Sequence, residues 1–217
     1  MAKYNVLCYG DSNTWGFTPG LGVRFDENTR WPMRMAAQLG EDYHVIEAGI
    51  IGRTTVYDDP VNPYRNGLTG LGYSLQTHCP LDLVILCLGT NDLQFTNLAG
   101  VIRGVKELLR TLNNANAIFT GSTKLWRAEP RVLLVAPPPL HDDHDRLRPD
   151  TAMVGRVEDS RRFGEVYAQI APAYGAAFVD AGEVAGPSAV DGIHMDAESH
   201  RALADLLAGK VRELMEA

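Results

Sequence analysis

The sequence has few of the features that mark secreted, nucleic-acid-binding or membrane proteins. It contains only three cysteines, and Cys8 and Cys87 lie within apolar runs, so we expect three reduced thiols. No run of Lys or Arg occurs, and 27 acidic residues outnumber 20 basic ones, which excludes the basic surface that binds nucleic acid. No stretch approaches the roughly 18 to 20 apolar residues of a membrane span, and residues 1–5 lack the apolar core of a signal peptide. We therefore expect a cytoplasmic protein with neither nucleic acid nor membrane as a partner.

The sequence does contain enough apolar material for one core, because 45% of its 217 residues are hydrophobic, and we expect a single domain over residues 1–217. Short apolar runs predict five strands, at residues 4–9, 43–47, 82–88, 131–135 and 176–180. Helical periodicity predicts helices at residues 31–39, 98–112, 157–170 and 197–214. Alternating strands and helices are typical of a parallel sheet covered on both faces. The predicted fold is α/β, a three-layer α/β/α sandwich of flavodoxin-like type with a five-stranded parallel sheet.

Two long segments fit neither pattern. Residues 58–72 contain Pro60, Pro63 and three glycines, which are too many interruptions for one regular helix, and residues 137–149 are rich in proline and charge. We predict that both segments are loops. Loops of this length in a compact domain usually carry function or contact a partner chain.

The residues that follow the predicted strands are suited to catalysis, and ligands of parallel sheets gather at that edge. Ser12 follows the first strand and a glycine, where a hydroxyl can be exposed next to free backbone N–H groups. A serine hydroxyl needs a neighbouring base, and His194 is the best candidate because imidazole has a suitable pKa. Asp191, three residues earlier in a glycine-containing turn, can orient the imidazole and stabilise its charged form. We predict a catalytic triad of Ser12, Asp191 and His194.

Such a triad needs donors for the negative charge that develops on the carbonyl oxygen. Gly52 follows the second strand and can bring its N–H close without a side chain in the way, and Asn91 follows the third with a neutral amide donor. With the Ser12 N–H, these residues predict an oxyanion hole of three donors. Asp11 and Asp92 lie beside Ser12 and Asn91, and we expect them to hold their loops rather than to react.

Four sequence blocks, in this order, resemble those of the SGNH (GDSL-like) hydrolase family. They are Gly10-Asp11-Ser12, Gly52, Gly89-Thr90-Asn91-Asp92 and Asp191-Gly192-Ile193-His194, and they span nearly the whole chain. The resemblance implies that Ser12 is the nucleophile and first oxyanion donor, and that Gly52 and Asn91 supply the other donors. It also implies that His194 is the base and that Asp191 orients it.

Shorter motifs resemble the bacterial arylesterase and acyltransferase (perhydrolase) branch of this family. They are Trp15-Gly16, Arg53-Thr54-Thr55 and Asp58-Asp59-Pro60. Asn13 stands where leucine is commonest in the family, and we expect this difference to alter the pocket wall without affecting the triad. The resemblance to this branch implies a closed homo-oligomer, with octamers among the known assemblies.

The expected activity is that of a serine esterase that hydrolyses short-chain acyl esters, aryl esters in particular, through an acyl-serine intermediate. A narrow apolar entrance would let an alcohol or peroxide compete with water, which gives acyltransferase or perhydrolase activity. The expected partner is a small-molecule ester, and the chemistry requires neither a cofactor nor a metal. Alternatives within the family are a carbohydrate acetylesterase and a lysophospholipase or thioesterase. The non-enzymatic alternative is a nucleotide- or flavin-binding module, because residues 10–16 could cradle a phosphate on backbone N–H groups.

Aromatic residues near the proposed nucleophile have two interpretations. Trp15, Phe17, Phe25 and Trp31 either wall an acyl pocket or pack the first helix against the sheet. We expect Trp15 to be the substrate-binding residue of this group.

The remaining histidines are expected to be structural or exposed. His44 is placed at the edge of a strand, His78 in a loop, and His200 on the solvent face of the last helix. Residues 141–145 contain two histidines and three aspartates, which are potential metal ligands. No third ligand segment accompanies them, and the pattern is more typical of a solvated loop, so no metal site is predicted.

Overall fold

The computed structural model describes residues 4–119 and 123–216, which are built around a five-stranded parallel sheet. The strands are β1 (Tyr4–Gly10), β2 (Tyr43–Gly49), β3 (Leu83–Cys87), β4 (Val132–Ala136) and β5 (Ala177–Asp180), in the spatial order β2-β1-β3-β4-β5. Because β1 lies between β2 and β3, its last residue, Gly10, has a neighbour on each side: Gly49 of β2 and Cys87 of β3. All five predicted strands are present, each close to its expected bounds.

Helices cover both faces of the sheet. They are α1 (Ser12–Trp15), α2 (Trp31–Leu39), α3 (Gly67–His78), α4 (Leu98–Asn113), α5 (Ala115–Ile118), α6 (His144–Leu147), α7 (Val157–Arg161), α8 (Phe163–Ile170) and α9 (Ala197–Glu216). Short 3-10 turns occur at Pro63–Arg65, Thr90–Gln94, Ala171–Tyr174 and Ala181–Glu183. None of the described helices is both long and apolar enough to cross a lipid bilayer.

Alternate side chains of β1 enter two separate cores, because successive residues of a strand point to opposite faces. Val6 and Cys8 are fully buried in a cluster with side chains of α2 and α9. Leu7 and Tyr9 are fully buried in a second cluster with side chains of α3, α4 and α8. The predicted three-layer α/β/α sandwich is confirmed.

The prediction of a loop over residues 58–72 was wrong for its second half, which forms the start of α3. Leu71 and Leu75 are fully buried one helical turn apart and anchor the helix in the core. A Cβ on Gly72 would lie 2.7 Å from the ring of Phe119, so the glycine allows close packing at this point. Tertiary packing here outweighs the low helix propensity of glycine.

Other differences from the sequence predictions are smaller. The helix expected over residues 157–170 is divided at Arg162 into α7 and α8, and residues 137–149 form the expected loop with one helical turn, α6. The three cysteines are free, with Cys8 and Cys87 buried, as expected. The single-domain organisation and the homo-oligomer stay predictions.

The carboxyl ends of β1, β2 and β3 lie side by side, and this determines where the site is. Ser12, Gly52 and Asn91 follow those three strand ends by two, three and four residues. The segment between β5 and α9 carries His194 back to the same edge. Residues distant in sequence are therefore assembled at one edge of the sheet.

Candidate active site

The side chains of Ser12, His194 and Asp191 form a hydrogen-bonded row. Ser12 Oγ lies 3.0 Å from His194 Nε2, although the two residues are 182 positions apart in the sequence. His194 Nδ1 lies 2.8 Å from Asp191 Oδ2. Both distances are within hydrogen-bonding range. The structure therefore brings together the three residues predicted as the triad.

Hydrogen-bond chemistry indicates which imidazole nitrogen carries the proton. Asp191 also accepts the backbone N–H groups of Ile193 at 3.1 Å and His194 at 2.9 Å. Burial raises the pKa of Asp191, but the hydrogen bonds from the His194 ring and from these amides outweigh it and hold the pKa below its ordinary value. An ionised carboxylate can only accept, so Nδ1 of His194 donates to it. The lone pair of Nε2 then accepts from the Ser12 hydroxyl, as a general base requires.

Ser12 is the first residue of α1, directly after β1. Asp11 caps this helix, since its Oδ1 accepts the N–H of Asn13 at 3.0 Å. Asp11 is 2% exposed, and burial raises its pKa to about 6. The first N–H groups of a helix have no acceptor within it, which suits the Ser12 N–H to the predicted oxyanion role. Asp11 thus holds the Ser12 loop, as expected from its position beside the predicted nucleophile.

Asn13 joins the two segments that carry the triad. It is buried, its Oδ1 accepts the N–H of Met195 at 2.9 Å, and its Nδ2 donates to the carbonyl of Ile193 at 3.4 Å. Both neighbours of His194 are therefore bound to α1. The expectation that Asn13 alters the pocket wall was wrong, because Asn13 is not among the described residues that line the cleft at Ser12. A polar residue where leucine is commonest marks position 13 as unusual, but it does not reveal the two distant partners of Asn13.

A cleft of about 250 Å³ opens at Ser12 and His194. Gly52 and Asn91 line the same cleft, so the predicted oxyanion residues lie together. Apolar lining comes from Phe17, Ile51, Met153 and Ile193. A larger cavity of about 490 Å³ lies along α2, but its lining falls between residues 27 and 38 and includes none of the predicted site residues. Ser12, His194, Gly52 and Asn91 all line the smaller cleft.

Position 52 requires glycine for two physical reasons. Its φ of +76° lies in the left-handed region that favours glycine. A Cβ at this position would also lie 2.6 Å from Arg65 Nε, so the guanidinium packs directly against the glycine backbone. Arg65 is held there by an ion pair of 2.7 Å between its Nη1 and Asp59 Oδ2. A larger residue at position 52 would displace Arg65 from the cleft wall.

The Asn91 amide is oriented by its neighbours. Its Oδ1 accepts from Gln94 Nε2 at 3.2 Å. Its Nδ2 donates to the carbonyl of Arg53 at 3.2 Å and lies 3.4 Å from Asp11 Oδ2. Since Asp11 belongs to the Ser12 loop, the amide nitrogen rather than the oxygen faces that loop. Of the two Nδ2 hydrogens, the one on the longer and weaker contact to Asp11 is available to an oxyanion, from an amide whose orientation is already fixed.

Arg53 holds together the ends of two strands behind the cleft. It is 2% exposed and donates to the carbonyl of Gly10 at 2.8 Å and to that of Ala48. Its guanidinium lies 4.0 Å from the centroid of the Tyr9 ring, within the range of a cation–π contact. These contacts connect the ends of β1 and β2 below the predicted oxyanion hole.

Asp92 holds the Asn91 loop against the segment that follows Gly52. It is fully buried and accepts the backbone N–H of Thr55 at 2.9 Å, and it also accepts the Thr55 hydroxyl. Burial raises the pKa of Asp92 to about 7. The structure thus gives Asp92 the loop-holding position expected from the sequence.

Phe17 is the aromatic side chain stacked on the His194 ring, with centroids 4.0 Å apart and an interplanar angle of 26°. Trp15 lies behind it, 6.4 Å from the Phe17 centroid, and the guanidinium of Arg24 lies over the Trp15 ring. Trp15 is not among the described residues that line the cleft. Its role in binding substrate stays a prediction, and Phe17 is the aromatic residue of the cleft wall.

His200 is fully buried, contrary to the expectation that it faces solvent. Its Nδ1 accepts the N–H of Trp31 at 3.3 Å, and its ring meets Phe25 edge-on at 5.3 Å. Trp31 begins α2, so the imidazole supplies an acceptor that the first turn of a helix lacks. Trp31 of α2, and Phe25 in the segment before this helix, therefore contact α9 through His200. Of the other histidines, His44 is exposed on β2 as expected. The placement of His78 in a loop was wrong, because His78 is the last residue of α3.

The side chains of residues 141–145 have different partners. His144 is fully buried, with Nδ1 3.1 Å from Asp145 Oδ1, so the expectation of a wholly solvated loop was wrong at this residue. Asp142 and Asp143 each pair with an arginine. Within residues 4–119 and 123–216, no group of three or more His, Cys, Asp or Glu side chains is placed to hold a metal ion.

The sequence and the fold are similar to those of known proteins. A model of the GDSL-like lipase/acylhydrolase family matches residues 8–202. The M. smegmatis aryl esterase (TM-score 0.89) and Est24, a carbohydrate acetylesterase from Sinorhizobium meliloti (TM-score 0.90), are each 36% identical over 98% of this chain and 100% of theirs. A lipase/acylhydrolase from Enterococcus faecalis, 19% identical over 97% of this chain and 96% of its own, shares the fold with a TM-score of 0.66. The search of curated proteins finds no match. The chain belongs to the GDSL-like lipase/acylhydrolase family, that of the SGNH hydrolases.

Proposed function

We propose that this protein is a serine esterase that cleaves short-chain acyl esters, with Ser12 as nucleophile, His194 as general base and Asp191 as the residue that orients the base. The observation that carries the proposal is the row of contacts of 3.0 Å and 2.8 Å from Ser12 through His194 to Asp191. A carboxylate, an imidazole and a hydroxyl in this order form the arrangement that activates serine in acyl transfer.

In the first step, Ser12 Oγ attacks the ester carbonyl carbon while His194 Nε2 takes the hydroxyl proton. The carbonyl oxygen gains negative charge and accepts hydrogen bonds from the N–H groups of Ser12 and Gly52 and from the Asn91 amide. Nε2 then gives its proton to the departing alcohol or phenol oxygen, which leaves an acyl-Ser12 ester. Asp191 stabilises the charged imidazole during both transfers.

In the second step, water attacks the acyl-Ser12 carbonyl with His194 again as base, which releases the acid and restores the Ser12 hydroxyl. An alcohol that reaches the same position gives a new ester instead. The apolar side chains of Phe17, Ile51 and Ile193 at the cleft favour an alcohol over water, so acyltransferase activity is part of the proposal.

The size of the cleft supports short acyl groups. About 250 Å³ is slightly smaller than most small-molecule sites, which argues for a small substrate rather than a long lipid chain. The similarity to an aryl esterase supports aryl esters, and the equal identity to a carbohydrate acetylesterase favours acetylated sugars as the second candidate. Membership of the hydrolase family argues against a nucleotide- or flavin-binding module.

The proposal is tested with 4-nitrophenyl acetate and an acetylated sugar, on the wild type, Ser12→Ala and the control Ser74→Ala. Loss of the nucleophile lowers kcat/KM by roughly 10³-fold or more, whereas Ser74→Ala, on α3, keeps the wild-type value. The circular dichroism spectra of all three proteins should match. Equal rates for the wild type and folded Ser12→Ala would exclude Ser12 as the nucleophile. Faster release of acetate from the sugar than from the aryl ester would favour the second candidate.

A further inference from the structure

The proposed active-site cleft is lined by two arginines, Arg65 and Arg148, and by no aspartate or glutamate among the residues that the structure describes there. The whole chain has a formal net charge of -7, so this concentration of positive charge is opposite to the general character of the protein. We propose that the cleft selects esters that carry a carboxylate in addition to the ester group. This inference rests on the proposed esterase function and adds the class of substrate.

Arg65 brings its charge next to the reacting carbonyl. Its guanidinium packs on the backbone of Gly52, a predicted oxyanion donor, with the Nε atom 2.6 Å from the place of an absent Cβ. The Arg65 side chain is 26% exposed. Asp59 pairs with Nη1, but the buried Nε has no hydrogen-bond partner among the described residues. Arg65 therefore keeps donors that are not satisfied by the protein.

Arg148 approaches from the loop that packs on the catalytic segment. This loop is attached there by the N–H of His141, which donates to the carbonyl of Gly192 at 3.0 Å. The ion-pair partner of Arg148 is Asp150, 3.4 Å away with 76% of its side chain exposed, so solvent screens the pair and a ligand can compete with Asp150 for the guanidinium. Arg148 is itself 36% exposed and lines the cleft, so a bound ligand can reach it.

The two carboxylates nearest the reacting atoms do not cancel this charge at the cleft surface. Asp191 is bound to His194, and Asp11 is buried behind Asn91. Burial also raises the pKa of Asp11 to about 6, which favours its neutral form relative to an ordinary aspartate. A ligand anion in the cleft therefore meets arginine side chains first.

Arginine is suited to this recognition because its planar guanidinium binds a carboxylate with two parallel hydrogen bonds. Attraction over a few ångströms at a partly buried site is stronger than in bulk water. The reaction itself is unchanged: water and the ester give an alcohol and an acid, and one of the two products carries the additional carboxylate. The charge can reside on the acyl part or on the alcohol part, and the experiment separates these cases.

The experiment compares charged esters with neutral esters of the same shape. In one pair the charge is on the alcohol part, 4-acetoxybenzoate against 4-acetoxybenzamide. In the other it is on the acyl part, 4-nitrophenyl hydrogen adipate against the corresponding adipamate. The ratio of kcat/KM for the charged and the neutral ester is measured for each pair. Comparing this ratio between variant and wild type cancels the intrinsic reactivity of the esters.

We expect Arg148→Gln and Arg65→Gln each to lower the ratio about tenfold in at least one pair. Arg148→Lys should restore part of the loss. The control is Arg146→Gln, which removes one positive charge from the same loop. Arg146 is 72% exposed and paired with Asp143, so this substitution should leave the ratio unchanged. Raising the salt concentration to about 0.5 M should also lower the wild-type ratio, because salt screens the attraction.

Unchanged ratios in both pairs for both arginine variants would overturn the inference, provided that the proteins are folded. Hydrolysis of the neutral esters in that case would leave the esterase proposal intact. If the arginines only stabilised the oxyanion, charged and neutral esters would lose rate equally and the ratio would stay constant, which also overturns it. Failure of the wild type on all four esters would refute both proposals.

Discussion

Two histidines only six residues apart lie in different environments. His194 lies in the segment before α9, and His200 lies in the first turn of α9. The His194 ring is 12% exposed and has a partner on each nitrogen, Asp191 on Nδ1 and Ser12 on Nε2. His200 is fully buried, with Trp31 N–H on Nδ1 and no partner for Nε2 among the described residues. The difference is in the partners and in access to the cleft.

The surroundings of each histidine determine its role. A carboxylate on one nitrogen and a hydroxyl on the other allow His194 to accept and return a proton. Burial lowers the pKa of His200 to about 4, so this imidazole stays neutral at ordinary pH and serves as an acceptor for the first N–H of α2. Both segments are hydrogen-bonded to the N-terminal part of the chain. Asn13 binds the two neighbours of His194, and Trp31 binds His200 itself.

Substitution of the two histidines should affect activity very differently. His194→Ala removes the proposed base, and we expect kcat/KM for 4-nitrophenyl acetate to fall about 10⁴-fold while the protein stays folded. The matched variant His200→Gln should keep kcat/KM within about twofold of the wild-type value at pH values near 8, where His200 is neutral in both the folded and the unfolded protein. A loss of activity as large in His200→Gln as in His194→Ala would contradict the division of roles.

A second prediction concerns stability against pH. His200 has a folded-state pKa of about 4 against an ordinary value of 6.5. Below pH 6.5 the unfolded chain therefore binds a proton that the folded protein does not. The free energy of unfolding decreases for this reason as the pH falls from 6.5 to 4. The loss is on the order of 3 kcal/mol in the free energy of unfolding. Urea denaturation at a series of pH values measures it.

His200→Gln is the control for this titration, since glutamine can accept the Trp31 N–H without binding a proton. The control is necessary because Asp11 and Asp92, whose pKa values burial raises to about 6 and about 7, stabilise the folded state as the pH falls through the same range. Their effect is common to both proteins and cancels in the difference. A stability difference between wild type and His200→Gln that is constant from pH 7 to pH 4 would contradict the prediction.

The sheet, and the meeting of Ser12, Asp191 and His194 at its edge, could be predicted from the sequence because each contributing segment has a local pattern. Each strand is a short apolar run with turn residues at its ends, and Ser12, Gly52 and Asn91 follow strand ends that parallel pairing must bring together. The second half of the 58–72 segment was mispredicted because the glycines of α3 lower its helix propensity. The compensating contact, Gly72 against Phe119, is 47 residues away in the sequence.

The roles of Asn13, Arg65 and His200 could not be predicted, since each depends on a partner distant in sequence. Asn13 binds residues 182 and 180 positions later, and His200 binds Trp31, 169 positions earlier. Arg65 enters the cleft only because Gly52 lacks a side chain. The sequence pattern placed His200 on a polar helix correctly, but periodicity alone did not reveal that α2 covers this part of α9.

The smallest expected effect tests the connection between Asn13 and His194. Asn13→Leu removes both hydrogen bonds that hold the neighbours of His194, so the imidazole should be less well placed and kcat should fall about tenfold with little change in KM. The matched variant is Asn5→Leu, near the opposite end of β1, which loses a hydrogen bond of 2.8 Å to the carbonyl of Pro80 far from the cleft. Both substitutions should cost about 1–3 kcal/mol of stability, but only Asn13→Leu should lower kcat. An unchanged kcat in folded Asn13→Leu would mean that the His194 segment holds its position without α1, and that its connection to the N-terminal part of the chain is structural, like that of His200.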